Sequence, residues 1–233
     1  MRARRRSALL AKLNRADGSQ RAIVDEIRRV ILDGGAPPGS PIPVNEVAEV
    51  FGVSPIPVRE SLKTLTAEGL VDHQPNVGYA VARLTATELA ELYIVRETLE
   101  SAALSAAVAN ATDADRATVA AAHRLLERAV AEDDPHTYHR QSRHFHFGLT
   151  RPSGMLRLVH MLESAWNITE PVQLMVHVHP SDRAALHADH GQMLEAFLAR
   201  DADALLAVSA DHHRRLNAVV STLPPDTGLI TRD

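Results

Sequence analysis

This sequence predicts a mainly α protein in two parts: a winged helix-turn-helix with a small β-hairpin wing, then an antiparallel all-α bundle of about six helices. Three observations carry that expectation. Along most of the chain apolar residues recur three and four positions apart, as in helices with one buried face. Alternation with a period of two is confined to a short stretch around residues 71–82. Aromatic residues make up 3% of the chain while Ala and Leu are abundant, so the interior suits helices better than a sheet sandwich.

The first helix runs from Gln20 to Leu32, with Ile23, Ile27, Val30 and Ile31 on one face, and Gly34-Gly35 followed by Pro37-Pro38-Gly39 closes it. A short second helix buries Val47, Val50 and Phe51 and ends at Gly52. Ser54 then reads as an N-cap, with Pro55 and Pro57 in the first turn of a third helix that buries Val58, Leu62 and Leu65. Two helices joined by a tight glycine-containing turn are the sequence form of a helix-turn-helix. After Gly69-Leu70 the strands Val71–His73 and Tyr79–Ala82 flank the turn Pro75-Asn76-Val77-Gly78 and make the wing. Beyond Leu84, Thr85 with Glu88, Thr112 with Asp115, Asp134 before Pro135, Ser181-Asp182 and Asp201 mark successive helix starts. The expected division is a basic, flexible tail over 1–18, the head over 19–83, the helical body over 84–222 and a second tail over 223–233.

Composition bounds the function. The net charge of −4 is unevenly spread: residues 1–84 carry +3 and the remainder −7, the sign expected of a nucleic-acid-contacting head on an acidic body. Six of the head's positive charges fall in the first 15 residues, either as a DNA-grasping arm or as a solubilising tail. No apolar run approaches the roughly 20 residues needed to cross a bilayer, and a soluble, cytoplasmic protein without membrane partners is the expectation. The absence of cysteine excludes disulfides and thiolate zinc sites.

Pro38-Gly39, Phe51-Gly52-Val53-Ser54, Pro57-Val58-Arg59-Glu60-Ser61-Leu62, Leu65, Glu68-Gly69-Leu70-Val71 and Gly78 together resemble the winged-helix domain of the GntR transcription regulators. In the C-terminal half, Arg96-Glu97-Thr98-Leu99-Glu100, Phe145-His146, Asp189-His190, Glu195-Ala196, Asp201 and His212 resemble the ligand-sensing domain of the FadR branch. The resemblance implies a homodimer on a pseudo-palindromic DNA operator, with Ser54, Ile56, Pro57 and Arg59 at or near the DNA. It also implies Asn45 on the backbone and the wing tip around Gly78 near the minor groove. It departs at two places: Pro55 stands where the family usually has arginine, and Ser142 where its metal-binding members have aspartate.

Each candidate has a plainer alternative. Arg59 can donate a bidentate pair to guanine, or pair with Glu60 or another nearby acid. Ile56 and Pro57 also read as packing residues, and Lys63 as a solvated one. His146, His190 and His212 lie on apolar faces of three different predicted helices, where three imidazoles can meet around zinc or nickel; singly, each reads as a core histidine satisfied by a carbonyl or water. At the vacant ligand place Ser142 would hold a water, and Arg96 would pair with the carboxylate of a small-molecule effector, or else with Glu97 or Glu100. His144, His177, His179 and His213 read as surface residues. A metal-dependent hydrolase or lyase is the rival reading of the cluster, against which stands the absence of any paired carboxylate or nucleophile motif beside the histidines.

Overall fold

The computed structural model describes residues 7–14 and 17–223 and divides into two compact units. Of the described residues, those up to 85 with 167–172 form the first, and 86–166 with 173–223 the second. The Arg cluster at residues 2–6 and Pro224-Pro225 lie outside the described residues.

In the first unit, α1 (Gln20–Leu32), α2 (Val44–Phe51) and α3 (Pro55–Ala67) precede β2 (Val71–Gln74) and β3 (Gly78–Val81). The sheet has a third strand that the sequence pattern did not reveal, β1 (Pro41–Ile42), in the antiparallel order β1-β3-β2. Two residues are too few to show alternation, so β1 exists through its pairing with Tyr79 and Ala80. Ile23, Ile27, Val47, Val58, Leu62, Leu65 and Leu70 form the core, and Leu9 is fully buried with them. Part of the stretch read as a flexible tail is therefore packed, with the Ser7 hydroxyl donating to the carbonyl of Pro41 at 2.6 Å. A two-pronged ion pair from Arg28 to Glu68, at 3.0 and 2.7 Å, ties α1 to the end of α3.

The second unit is helical throughout: α4 (Ala86–Asn110), α5 (Asp113–Ala131), α6 (Pro135–Thr150), α7 (Leu156–Thr169), α8 (Leu174–His177), α9 (Pro180–Ala199) and α10 (Ala202–Ser221). The last residues of α7 group with the first unit. The helix count exceeds the sequence expectation by one, α8 being a single turn that no periodicity can announce. Helix α5 packs on α6 and α9, and α10 packs on both α4 and α9. Two caps appear as read: Asp134 accepts from the Thr137 N–H, and Asp201 from that of Ala204. The start of α9 is two residues earlier than read, with His179 rather than Ser181 in the N-cap position. At α5 the capping box is complete: Thr112 Oγ accepts from the Asp115 N–H at 3.2 Å while Asp115 accepts from the Thr112 N–H at 2.9 Å. Thr112→Ala is expected to cost about 1 kcal/mol, read as a lower urea midpoint with an unchanged slope.

Candidate functional site

In the head, the motif residues gather at the start of α3. Gly52 ends α2 in the left-handed conformation (φ 69°), which lets the chain turn within three residues into α3. Ser54 occupies the N-cap position, with extended backbone, but makes no capping bond. Ser caps by accepting from the second or third helical N–H, and Pro57 removes the third, leaving that of Ile56 as the one a cap could use. Pro55 also lacks an N–H, so Ile56 is the one residue of the first three with a backbone donor to offer an anion. Most of any grip on DNA at this end must therefore come from side chains.

Those side chains are placed outward. Asn45 on α2, Ser54 and Arg59 are exposed, and Pro57 is half-buried. Ile56 is 66% exposed, which sets aside the packing role that its apolar side chain also allowed. Glu60, the alternative partner of Arg59, is taken by Lys63 at 2.8 Å. Arg59 has no ion-pair partner among the described residues. In the wing, the Val77 N–H donates to the Gln74 carbonyl at 3.1 Å across Pro75 and Asn76. Asn76 has φ 63°, the left-handed value that a type II turn needs at its third position. Gly78 follows with φ 115°, a conformation closed to side-chain-bearing residues, and starts β3.

In the helical unit, His146 (α6), His190 (α9) and His212 (α10) converge: each offers a ring nitrogen, and the three nitrogens lie within 4.8 Å of one another. All three rings are buried. Arg96 and Ser142 line the same small cavity, together with Trp166. Its water-accessible volume is about 20 Å³, room for one water or one ion but not for an organic acid.

The outer face of each imidazole is held. His146 Nδ1 is 2.8 Å from Glu100 Oε2, and His190 Nδ1 is 3.2 Å from the Tyr138 hydroxyl. His212 Nδ1 lies 3.5 Å from Asp189 Oδ2, and Asp189 accepts from Arg215 Nε at 3.0 Å. Burial lowers the pKa of His212 to about 4, the attraction of Asp189 offsetting only part of the effect. Burial likewise holds His190 well below its ordinary value, helped by the neighbouring imidazoles of His212 and His146. Both rings are therefore neutral at neutral pH, the form that binds metal. Burial raises the Tyr138 pKa, so its phenol keeps its proton.

The donor set fits a divalent cation, on two conditions visible in the geometry. His146 Nε2 and His190 Nε2 are 3.2 Å apart, a hydrogen bond that needs a proton on one of them. Ligation by both requires that proton to move, and the Tyr138 oxygen can accept one from His190 Nδ1 instead. His212 Nδ1 faces the Asp189 carboxylate at 3.5 Å and leaves Nε2 for the cation.

Sequence reasoning missed the hub behind the histidines. Glu100 is 1% exposed, accepts from His146 and from Trp166 Nε1 at 3.2 Å, and lies 3.4 Å from His213 Nε2 and 4.0 Å from Arg96 Nε. Burial by itself raises a carboxyl pKa, but the His146 and His213 imidazoles outweigh it and hold Glu100 well below the usual range. Arg96 lies over the Trp166 ring, 3.3 Å from its centroid, and 4.4 Å from that of Tyr93. A signal was present: Leu89, Tyr93, Arg96, Glu100, Ala103 and Ala107 form one buried stripe of α4, interrupted by two charges one turn apart. His213 corrects the sequence reading: it is buried, not a surface residue, because α10 is packed on two sides and hides both of two adjacent residues. His144 and His179 are exposed and His177 half-buried.

Comparison with known proteins agrees with this architecture. The profile of the FCD domain matches residues 91–215, and that of bacterial regulatory proteins of the gntR family matches residues 19–81. An HTH-type transcriptional regulator in an unstable DNA locus of Streptomyces ambofaciens is 35% identical over 137 residues, covering 58% of this chain and 57% of that one. The Uxu operon transcriptional regulator of Escherichia coli (strain K12) is 28% identical over 198 residues, 76% of this chain and 77% of its own length. Among solved structures, E. coli McbR/YncC superposes with a TM-score of 0.76 at 23% identity, over 87% of this chain and 96% of that one. A GntR regulator from Rhodococcus sp. RHA1 does so with a TM-score of 0.77 at 24% identity, over 88% and 99%. These two structures share the fold. Among the described residues no helix is long and apolar enough to cross a membrane.

Proposed function

This chain belongs to the gntR family of bacterial regulatory proteins and carries an FCD domain, and from that premise we propose that it is a ligand-responsive, DNA-binding transcriptional regulator. In this reading it is a homodimeric repressor, released from a pseudo-palindromic operator by a small organic acid. The observation that carries the DNA half is Arg59, exposed at the start of α3 with its neighbouring acid already taken by Lys63. Side chains at the start of a recognition helix face base edges in the major groove, and a two-fold dimer matches a two-fold operator.

The ligand half rests on the cavity. His146, His190 and His212 would hold zinc or nickel, the ions that imidazole sets favour. When bound, such an ion supplies a Lewis-acidic anchor for a carboxylate. Ser142 brings no charge where family members have aspartate, so an effector carboxylate is the anion that would complete the site. Arg96 lines the same cavity and offers a second positive contact, while Glu100 and Tyr138 orient His146 and His190. Because the free space holds no more than an ion or a water, an organic acid can enter only if Trp166 or its neighbours move. Effector binding is thereby coupled to a shift of the helices, which is what altering operator affinity requires.

The matched family is one of transcription regulators rather than of hydrolases or lyases, and the histidine cluster is read accordingly as a sensing site. The test is a duplex selection at fixed salt followed by fluorescence anisotropy. The expected result is a two-fold symmetric operator with salt-sensitive affinity, weakened by members of a panel of small organic acids. No salt-sensitive affinity for any duplex, with or without those acids, would overturn the reading.

A further inference from the structure

A second set of ionisable side chains lies outside the cavity, between α5 and α9. His123 and Glu127 are one turn apart on α5, and His187 is on α9, one turn before His190. One donor atom from each of the three lies within 4.8 Å of the others. The two imidazole rings stack with centroids 5.0 Å apart and planes at 16°, and His123 Nδ1 is 3.7 Å from Glu127 Oε1. His123 is only 8% exposed. Two of the ring nitrogens, His123 Nε2 and His187 Nδ1, are buried without a hydrogen-bond partner among the described residues.

Such atoms call for a partner, since the large majority of buried side-chain polar atoms in folded proteins have one. A proton on either ring does not supply a partner: it would place a cation in a desolvated site against a second imidazole. Burial in fact lowers the pKa of both histidines. A metal ion would take the lone pair of a neutral imidazole that finds no donor.

We propose that His123, His187 and Glu127 form a second divalent-cation site that bridges α5 and α9. Two imidazoles and one carboxylate are the donor set that zinc and its neighbours take when a fourth position stays open. The buried His123 is held in place, whereas the Glu127 side chain is 55% exposed and free to swing onto the ion. This site is independent of any cation in the cavity, whose three histidines are different residues. The two sites do touch: the Tyr138 ring lies edge-on to His187 at 5.9 Å, and its hydroxyl reaches His190. An ion on His187 therefore braces the wall of the effector cavity from behind.

The test uses the full-length, untagged protein stripped with a chelator and titrated with zinc, by calorimetry and by elemental analysis after dialysis. The wild type is expected to bind one ion more than His187→Ala, and the His146→Ala plus His190→Ala variant is expected to retain an ion that His187→Ala removes. Glu127→Gln, at an exposed position that leaves folding intact, is expected to weaken that ion's affinity about tenfold or more. Identical stoichiometry and affinity in wild type, His187→Ala and Glu127→Gln would overturn the proposal. Should His187→Ala fail to fold, an unchanged zinc affinity in Glu127→Gln overturns it alone.

Discussion

Replacing Glu100 by alanine is expected to destabilise the helical unit by about 3–5 kcal/mol, the usual cost of removing one partner from a buried charged network. The carboxylate accepts from His146 and Trp166, lies within 4.0 Å of the Arg96 guanidinium and faces His213, all of them buried. Alanine leaves these groups in place without the anion around which they are arranged. Urea unfolding measures the loss, and a change below about 1 kcal/mol would show that the network contributes little.

The same network fixes the sign of the pH dependence in chelator-treated protein. His212 and His190 have folded pKa values below their unfolded value of 6.5, that of His212 being about 4. Between those values the unfolded chain binds more protons, so stability is full above pH 6.5 and falls as pH drops toward 4. His212 alone contributes about 3 kcal/mol across that window, at 1.36 kcal/mol per pKa unit. Glu100, also depressed, contributes stability that is present above its unfolded value of 4.5 and lost as pH falls further. The two effects have the same sign, and the decline continues below pH 4.5. A urea midpoint that stays flat between pH 6.5 and 4 would contradict neutral, buried imidazoles. Added zinc should raise the midpoint most near neutral pH, where the ligands carry no proton.

Arg59→Ala is expected to weaken operator binding by 1–3 kcal/mol, or roughly 5- to 150-fold in Kd, and to relax base preference at one position in each half-site. The thermal midpoint should not move, because Arg59 is exposed and pairs with no acid among the described residues. The expected effect lies high in the range for a structural reason. Pro55 and Pro57 remove two of the three N–H groups at the start of α3, so the helix end has little backbone grip to compensate. Anisotropy with the selected operator and a scrambled duplex at one salt concentration separates the outcomes. Equal weakening on both duplexes would reassign Arg59 to the phosphates, and no weakening on either would remove it from the interface.

Local features of the chain proved readable one residue at a time. Gly52 stops α2, Thr112 with Asp115 caps α5, and Asp134 with Pro135 opens α6, because each acts on backbone groups within four residues of itself. The three cavity histidines were also readable as inward-facing, since each sits on an apolar stripe of its own helix. A cap can fail even locally: Ser54 has the right residue type but makes no capping bond, and Pro57 removes one of the two N–H groups it could accept from.

Periodicity along the chain was enough to establish helices, a wing and the inward faces of His146, His190 and His212, because hydrogen bonding and amphipathicity act between residues a few positions apart. Packing settled the rest: that Glu100 gathers His146, Trp166 and His213, that α10 is covered on two sides so His213 is buried, and that His123 meets His187 across two helices. Those partners stand tens of residues apart, and no local spacing encodes which helix will face which.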